Sequence, residues 1–186
     1  MSWSLGEIEA LAIKAARGAG WPWGLAEEAG WAVRWLEARG LPGVQTLADC
    51  LSDGSDSDTI ARGAYLRDQG HIEVPEVLNR VAHPLLLLAF LGSSCRPECG
   101  LMVVLDGHAV SVGQGGVTGG QDLPRQANVT IEGWTGPIAA KPHRSRVEHA
   151  CPEALEILHR FAAQTYAPAT EESRARGAGS GLNDND

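Results

Sequence analysis

The first 40 residues contain two amphipathic segments that each end at glycine, and this pattern constrains the fold of the chain more than any other. Ser4 and Glu7 have the spacing of a capping box, in which side chains and backbone N–H groups bond reciprocally at a helix start. Apolar residues then recur at spacings of three and four up to Gly18, namely Leu5, Ile8, Leu11, Ala12 and Ala15. A second such stripe ends at Gly40 and comprises Leu25, Ala29, Val33 and Leu36. Because glycine accepts the positive φ that commonly ends a helix, the first 40 residues are predicted to form a helical hairpin.

A third helical pattern follows and leads into a polar loop at residues 53–58. Its apolar positions are Val44, Leu47 and Leu51. The next stretch, up to residue 82, is ambiguous. Its spacing is compatible with a short helix at residues 60–66 and with a strand through Ile72 and Val74 that ends at the following proline.

The most apolar run of the chain, residues 84–92, is about half as long as a helix that crosses a bilayer. It is rich in leucine and lacks β-branched residues, so a buried helix with Pro84 in its first turn is favoured, and a strand is the alternative. Pro152 opens a last helical pattern. Its shared face contains Ala154, Leu155, Leu158 and Phe161.

Strand patterns occupy the middle of the chain. Asp106 and Gly107 are flanked by two strand patterns, residues 101–105 and 108–112, and this is the strongest short signal for a β-hairpin in the chain. Residues 113–120 contain five glycines but no lysine, so a flexible loop is favoured over a phosphate-binding loop. Residues 128–132 are predicted to form a third strand.

These elements predict an α+β fold with an N-terminal helical hairpin, a central mixed or antiparallel sheet, a C-terminal helix and an extended tail. The predicted organisation is a single α+β domain over residues 1–166 and a polar tail over residues 167–186, packed on the domain or on a partner subunit. A chain of 186 residues is consistent with one domain.

Charge and cysteine content limit the classes of function. A net charge of −8 disfavours nucleic acid as a partner, because binding to phosphates needs a cationic surface. We expect no membrane association and, since the N-terminus lacks the pattern of a signal peptide, a cytoplasmic location. Four cysteines are too few for a disulfide scaffold, and the pair Cys95 and Cys99 lacks a second close pair to complete a zinc site. No metal and no cofactor are therefore predicted.

The second helix carries the candidate site. Glu27 and Arg34 lie seven residues apart on one side of it, with Glu28, Trp31 and Trp35 on the adjoining flanks. A solvated helix face with ion pairs explains this arrangement. The functional interpretation makes Glu27 and Glu28 catalytic acid/base groups and makes Arg34 and Trp35 substrate-binding residues.

Two hypotheses of different class remain. The first is a self-associating cytoplasmic module that binds a small ligand or a partner protein, because no catalytic signature is present and four of the six tryptophans lie between residues 21 and 35. The alternative is a small metabolic enzyme that acts on a carboxylated substrate, with a glutamate as acid/base and an arginine as clamp. A homo-oligomer is the expected partner. The basic segment 141–146 is compatible with a small anionic ligand or with the acidic end of the tail, residues 184–186, but a loop that keeps the surface mixed in charge is favoured.

Both ends of the chain resemble a known family. The first segment extends from residues 4–9, Ser-Leu-Gly-Glu-Ile-Glu, through residues 23–29 to Arg34 and Trp35. The second segment comprises residues 166–186. These segments resemble an uncharacterised bacterial family, domain-of-unknown-function family 3726. The resemblance implies no known activity, but it implies that the tail is part of the family pattern.

The tail is therefore expected to be ordered, although its composition is that of a disordered segment. Thr170 and Ser173 are suited to turns, and three glycines allow close approach to another surface. We predict that residues 166–182 lie across their own domain or a partner subunit. Glu171 and Arg174 are expected to form polar pairs near the ligand site.

Overall fold

The N-terminal helical hairpin is present in the computed structural model, which describes residues 2–119, 122–138, 143–148 and 150–165. A short strand, β1 (Trp3–Ser4), leads directly into α1 (Leu5–Gly18), and α2 (Trp23–Glu37) packs along α1. Ser4 Oγ accepts a hydrogen bond from the Glu7 N–H at 3.2 Å, while Glu7 Oε2 accepts one from the Ser4 N–H at 2.7 Å. The predicted hairpin and its capping box are therefore confirmed.

Two shorter helices, α3 (Gly43–Ser52) and α4 (Asp58–Asp68), follow the hairpin. The start of α3 is held by the buried side chain of Glu37, whose Oε1 accepts the Val44 N–H at 2.9 Å. Burial raises the pKa of Glu37, and the backbone donors at the helix start oppose that shift. The helical patterns predicted around Leu47 and at residues 60–66 are thus confirmed.

The apolar run forms α5 (Pro84–Ser94), and its residues from Pro84 to Gly92 are buried all round. A helix without a polar face must be covered on every side. Helices α2, α3 and α4 pack against one part of its surface and β-strands against another. The chain then returns to the helical side in α6 (Pro152–Ala163), which packs on α1 and α3.

Five strands of the described chain form an antiparallel sheet over α5. In chain order they are β2 (Glu76–Ala82), β3 (Gly100–Leu105), β4 (His108–Gly113), β5 (Gly116–Thr118) and β6 (Gln126–Thr135). Their order across the sheet is β2–β6–β3–β4–β5. At the β3–β4 turn, Asp106 and Gly107 have φ values of +45° and +89°, as a two-residue hairpin turn requires. The α+β class, the predicted hairpin and an antiparallel sheet are confirmed.

Two sequence-based expectations were wrong. Residues 71–75 form no strand, and the strand of this region is β2, which begins at Glu76. β2 has a weak sequence pattern because it is an edge strand with Val77 exposed, and its register shifts near Arg80, whose φ is +52°. The glycine-rich segment is not simply a loop, since it contains β5, in which Val117 is buried opposite Val112.

A two-residue strand, β7 (Arg146–Val147), pairs with β1 and joins the segment that precedes α6 to the start of the chain. Arg146 also donates from Nε to Ser2 Oγ at 3.0 Å. In the part of the chain that the structure describes, no helix has the length and apolar character needed to cross a membrane. The predicted tail, residues 167–186, lies outside the described residues, as do Glu171 and Arg174.

Candidate functional site

Glu27 and Glu28 border a depression of about 400 Å³ where α1, α2 and α4 meet, which we call the N-terminal depression. Its other lining residues are Glu9 and Ile13 from α1, Trp31 from α2 and Arg67 from α4. The helices approach closely because Gly30 has no side chain. A Cβ at Gly30 would lie 2.5 Å from Ile13 Cγ1 and 3.0 Å from the Glu9 carbonyl oxygen.

Of the two carboxylate oxygens of Glu28, one has a hydrogen-bond partner among the described residues and the other has none. Its Oε1 accepts a hydrogen bond from Arg67 Nη2 at 2.7 Å, and this contact raises the pKa of Arg67. Its Oε2 is buried and accepts no hydrogen bond from any residue that the structure describes. A buried carboxylate oxygen without a donor costs about 1–3 kcal/mol, so Glu28 Oε2 is an unsatisfied polar atom at this depression.

Arg67 is held by two aromatic rings as well as by Glu28. Its guanidinium lies 4.8 Å from the centre of the Trp31 ring and 5.3 Å from that of Phe90. The two rings are themselves 5.2 Å apart, centre to centre. Because Phe90 is fully buried in α5, the wall of the depression is anchored in the central core.

The remaining charged groups of the predicted site have partners within the protein. Arg34 Nη1 donates to Glu9 Oε2 at 2.8 Å, so the predicted clamp binds a carboxylate of α1. Glu27 accepts from Trp23 Nε1 at 2.8 Å and is exposed. The structure thus brings Glu27 and Glu28 to one depression, with Arg34 attached to it through Glu9.

Trp35 does not line the N-terminal depression. Its ring is 7% exposed, packs against Gly92 of α5, and lies 3.9 Å below the Arg39 guanidinium. Arg39 Nε in turn donates to the Gln114 carbonyl oxygen at 2.9 Å, in the β4–β5 turn. This arrangement makes Trp35 a core residue that joins α2 to the sheet.

Sequence reasoning missed Glu9, Ile13 and Arg67. Glu9 and Ile13 lie one helical turn apart on α1, but only the packing of α1 on α2 shows that this face meets Glu28. Arg67 comes from α4, and its distance from Glu28 along the chain leaves no local signal. The identifiable clue was Gly30, because a glycine inside a helical pattern commonly marks close packing.

A second polar cluster surrounds His83, which precedes α5 with φ of +47° and is 5% exposed. Its Nε2 lies 3.2 Å from Asp53 Oδ2, and Arg125 Nη1 donates to both oxygens of Asp53 at 2.9 Å. Burial lowers the pKa of His83, and the nearby Asp53 carboxylate opposes that shift. The buried ring ties α5 to the end of α3.

All four cysteines are free thiols. Burial raises the pKa of Cys50 to about 12 and that of Cys95 to about 11, so both are poor nucleophiles. No cluster of three or more His, Cys, Asp or Glu side chains among the described residues is placed to hold a metal ion.

Residues 3–68 match the model of a family described as protein of unknown function, DUF3726. The resemblance to this family predicted from sequence is therefore confirmed for residues 3–68. The DUF3726 segment covers α1 to α4 and includes every residue that lines the N-terminal depression. Neither the curated proteins nor the solved structures give a match to the chain.

Proposed function

We propose that the protein is a binding module whose small ligand occupies the N-terminal depression and presents a positively charged N–H group to Glu28. The observation that carries this proposal is the buried, unpartnered Glu28 Oε2 beside an open volume of about 400 Å³. This volume is within the range of small-molecule sites. Ile13 and the ring of Trp31 supply apolar walls, and the glutamates supply acceptors.

The charge balance supports a cationic ligand over the anionic one expected from sequence. Three carboxylates line the depression. The nearby guanidinium groups of Arg34 and Arg67 already bind two of them, Glu9 and Glu28 respectively. An anionic ligand would have to separate one of these pairs. A cationic group instead finds the free oxygen of Glu28 and the exposed carboxylate of Glu27, and charge-assisted hydrogen bonds are the stronger kind.

Two probes of equal length and opposite charge, butylammonium and butyrate, test the proposal. Each is titrated into the labelled protein, and the NMR signal of the Trp31 indole N–H, assigned with Trp31→Phe, is followed. We expect butylammonium to shift this signal in a saturable way. Loss of a charged hydrogen bond in Glu28→Gln is expected to weaken binding by at least about ten-fold.

Glu156→Gln is the matched control, because Glu156 is exposed on α6, away from the depression. It is expected to bind butylammonium like the unaltered protein. Equal binding by Glu28→Gln would contradict the proposal. Saturable binding of butyrate that is lost in Arg34→Gln would favour the alternative, an enzyme that clamps a carboxylated substrate with Arg34 and uses Glu27 or Glu28 as acid/base.

We further propose that the protein self-associates and acts in the bacterial cytoplasm. Four free thiols suit a reducing compartment. Of the tryptophans in the N-terminal hairpin, Trp21 and Trp35 are buried, whereas Trp23 is 61% exposed. Exposed tryptophan is enriched at protein interfaces, so Trp23 is the residue of this cluster on which the self-association proposal rests.

A further inference from the structure

A cavity separate from the N-terminal depression lies where three connecting regions meet, and we call it the Trp134 cavity. Its volume is about 240 Å³. His71 and Ile72 come from the segment between α4 and β2, Ser94 from the end of α5, and Arg96 and Cys99 from the turn before β3. Trp134, near the end of β6, completes the wall.

Among the described residues, the lining of the Trp134 cavity contains an arginine and a histidine but no carboxylate. Arg96 and His71 are exposed, and neither side chain forms an ion pair or hydrogen bond with another residue in the described ranges. Other arginines of the described chain, such as Arg34, Arg67 and Arg125, bind carboxylates. In a chain of net charge −8, an arginine left available in a concave wall attracts anions.

The cavity also offers an aromatic face. Trp134 is 44% exposed, so part of its ring is available for stacking, and the buried residue Ile72 also lines the cavity. A volume of about 240 Å³ is smaller than that of most drug-sized sites, so it suits a molecule with a single ring.

From this combination we propose that the Trp134 cavity binds a small planar anion, a single-ring aromatic carboxylate, with its ring against Trp134 and its carboxylate on Arg96. The guanidinium of arginine matches a carboxylate with two parallel hydrogen bonds. The Ser94 hydroxyl, which donates to the Phe90 carbonyl oxygen at 3.0 Å, keeps its oxygen available to accept a bond from a ring substituent. This site shares no residue with the N-terminal depression, so either proposal can fail alone.

Cys99 reports occupancy of the cavity directly, because its half-buried thiol forms part of the wall. Cys50 and Cys95 are buried, and Cys151 is the other partly exposed cysteine. In a Cys151→Ser background, the rate of modification by N-ethylmaleimide therefore measures access to Cys99. We expect benzoate to slow this reaction in a saturable way, and benzyl alcohol, which has the same ring and no charge, to leave it unchanged.

Arg96→Gln is expected to raise the benzoate concentration needed for half protection by about ten-fold, since it removes a charged hydrogen bond. Arg160→Gln is the control, because Arg160 is exposed on α6, outside the cavity. Unchanged melting temperatures establish that both variants are folded. Absence of protection by benzoate, equal protection by benzyl alcohol, or equal protection in Arg96→Gln would each overturn the proposal.

Discussion

His83 combines two unfavourable features: its ring is buried, and its backbone has a left-handed conformation. The contacts around it explain how the fold tolerates both. Its N–H donates to the Arg125 carbonyl oxygen at 2.6 Å, and its ring contacts Asp53, which Arg125 also binds. Arg125 Nη2 further lies 3.3 Å from Asp49 Oδ1, so one arginine joins both acidic residues to the start of α5.

This burial predicts that acid destabilises the protein through His83. The pKa of His83 is lowered in the folded state, so the unfolded chain binds the proton first as the pH falls below about 6.5. The free energy of unfolding should therefore have its full value above that pH. It should decrease as the pH falls from about 6.5 to the lowered pKa of folded His83. Urea denaturation between pH 7 and pH 5 measures this slope.

The substitution His83→Asn isolates that contribution, because asparagine tolerates a positive φ and does not titrate. We expect the variant to show a flatter dependence of unfolding free energy on pH over the same range. Equal slopes for His83→Asn and the unaltered protein would show that His83 is not the responsible group.

At the scale of residues, sequence reasoning succeeded where partners are close along the chain. Ser4 and Glu7 are three residues apart, and the capping box formed as predicted. The contact of His83 with Asp53 spans 30 residues, and that of Glu28 with Arg67 spans 39. Such partners are brought together only by the packing of the helices, so no local sequence pattern predicts them.

At the scale of elements, the position where α1 ends against α6 is set by a glycine. A Cβ at Gly18 would overlap the Phe161 carbonyl oxygen, which belongs to helix backbone and cannot move aside. Gly18→Ala is therefore expected to lower the free energy of unfolding by about 1–3 kcal/mol, the usual cost of overpacking. Gly6, the second residue of α1, has no atom near its missing Cβ, so Gly6→Ala is expected to cause no loss of stability.

Chemical denaturation of the two alanine variants side by side checks this expectation. The pair separates the effect of packing from that of helix propensity, since both replace glycine by alanine within one helix. A loss of stability in both variants, or in neither, would contradict a steric origin for the effect at Gly18.

The predicted elements show which patterns carry information. Each helix pattern was recognised because apolar residues repeat on one face or, in α5, fill the whole segment. The hairpin of β3 and β4 was recognised from its Asp-Gly turn. β2 and β5 were missed because an exposed edge strand and a strand of three residues lack the alternation that marks a half-buried strand.

At the scale of the whole molecule, α5 determines the arrangement of layers. Since it is apolar all round, helices and strands must both cover it, and the described residues share one hydrophobic core. The predicted helices and strands together indicated this class of fold. The strand order could not be predicted from the sequence. Strands β2 and β6 are neighbours in the sheet, but α5, β3, β4 and β5 lie between them along the chain, so no local pattern specifies their pairing.

Helices α1 and α6 together form a groove that reaches Ala162 and Ala163, close to the last described residue of the chain. The groove has a volume of about 460 Å³ and is lined in part by Trp3, Leu11, Lys14 and His159. Lys14 forms no ion pair with another described residue. The predicted ordered part of the tail, residues 166–182, contains two carboxylates and two arginines, so it offers groups of both signs to Lys14 and to Glu7, which also lines the groove.

We therefore expect deletion of residues 167–186 to lower the melting temperature or to dissociate an oligomer. Ordering each residue costs about 1–2 kcal/mol of backbone entropy, so a packed tail must form several polar contacts, and its removal exposes their partners. Calorimetry and sedimentation velocity measure the two effects. Deletion of residues 183–186 alone should change neither, because the predicted ordered segment ends at residue 182. Unchanged stability and assembly after the longer deletion, or fast amide exchange throughout residues 166–182, would show that the tail is a free polar end.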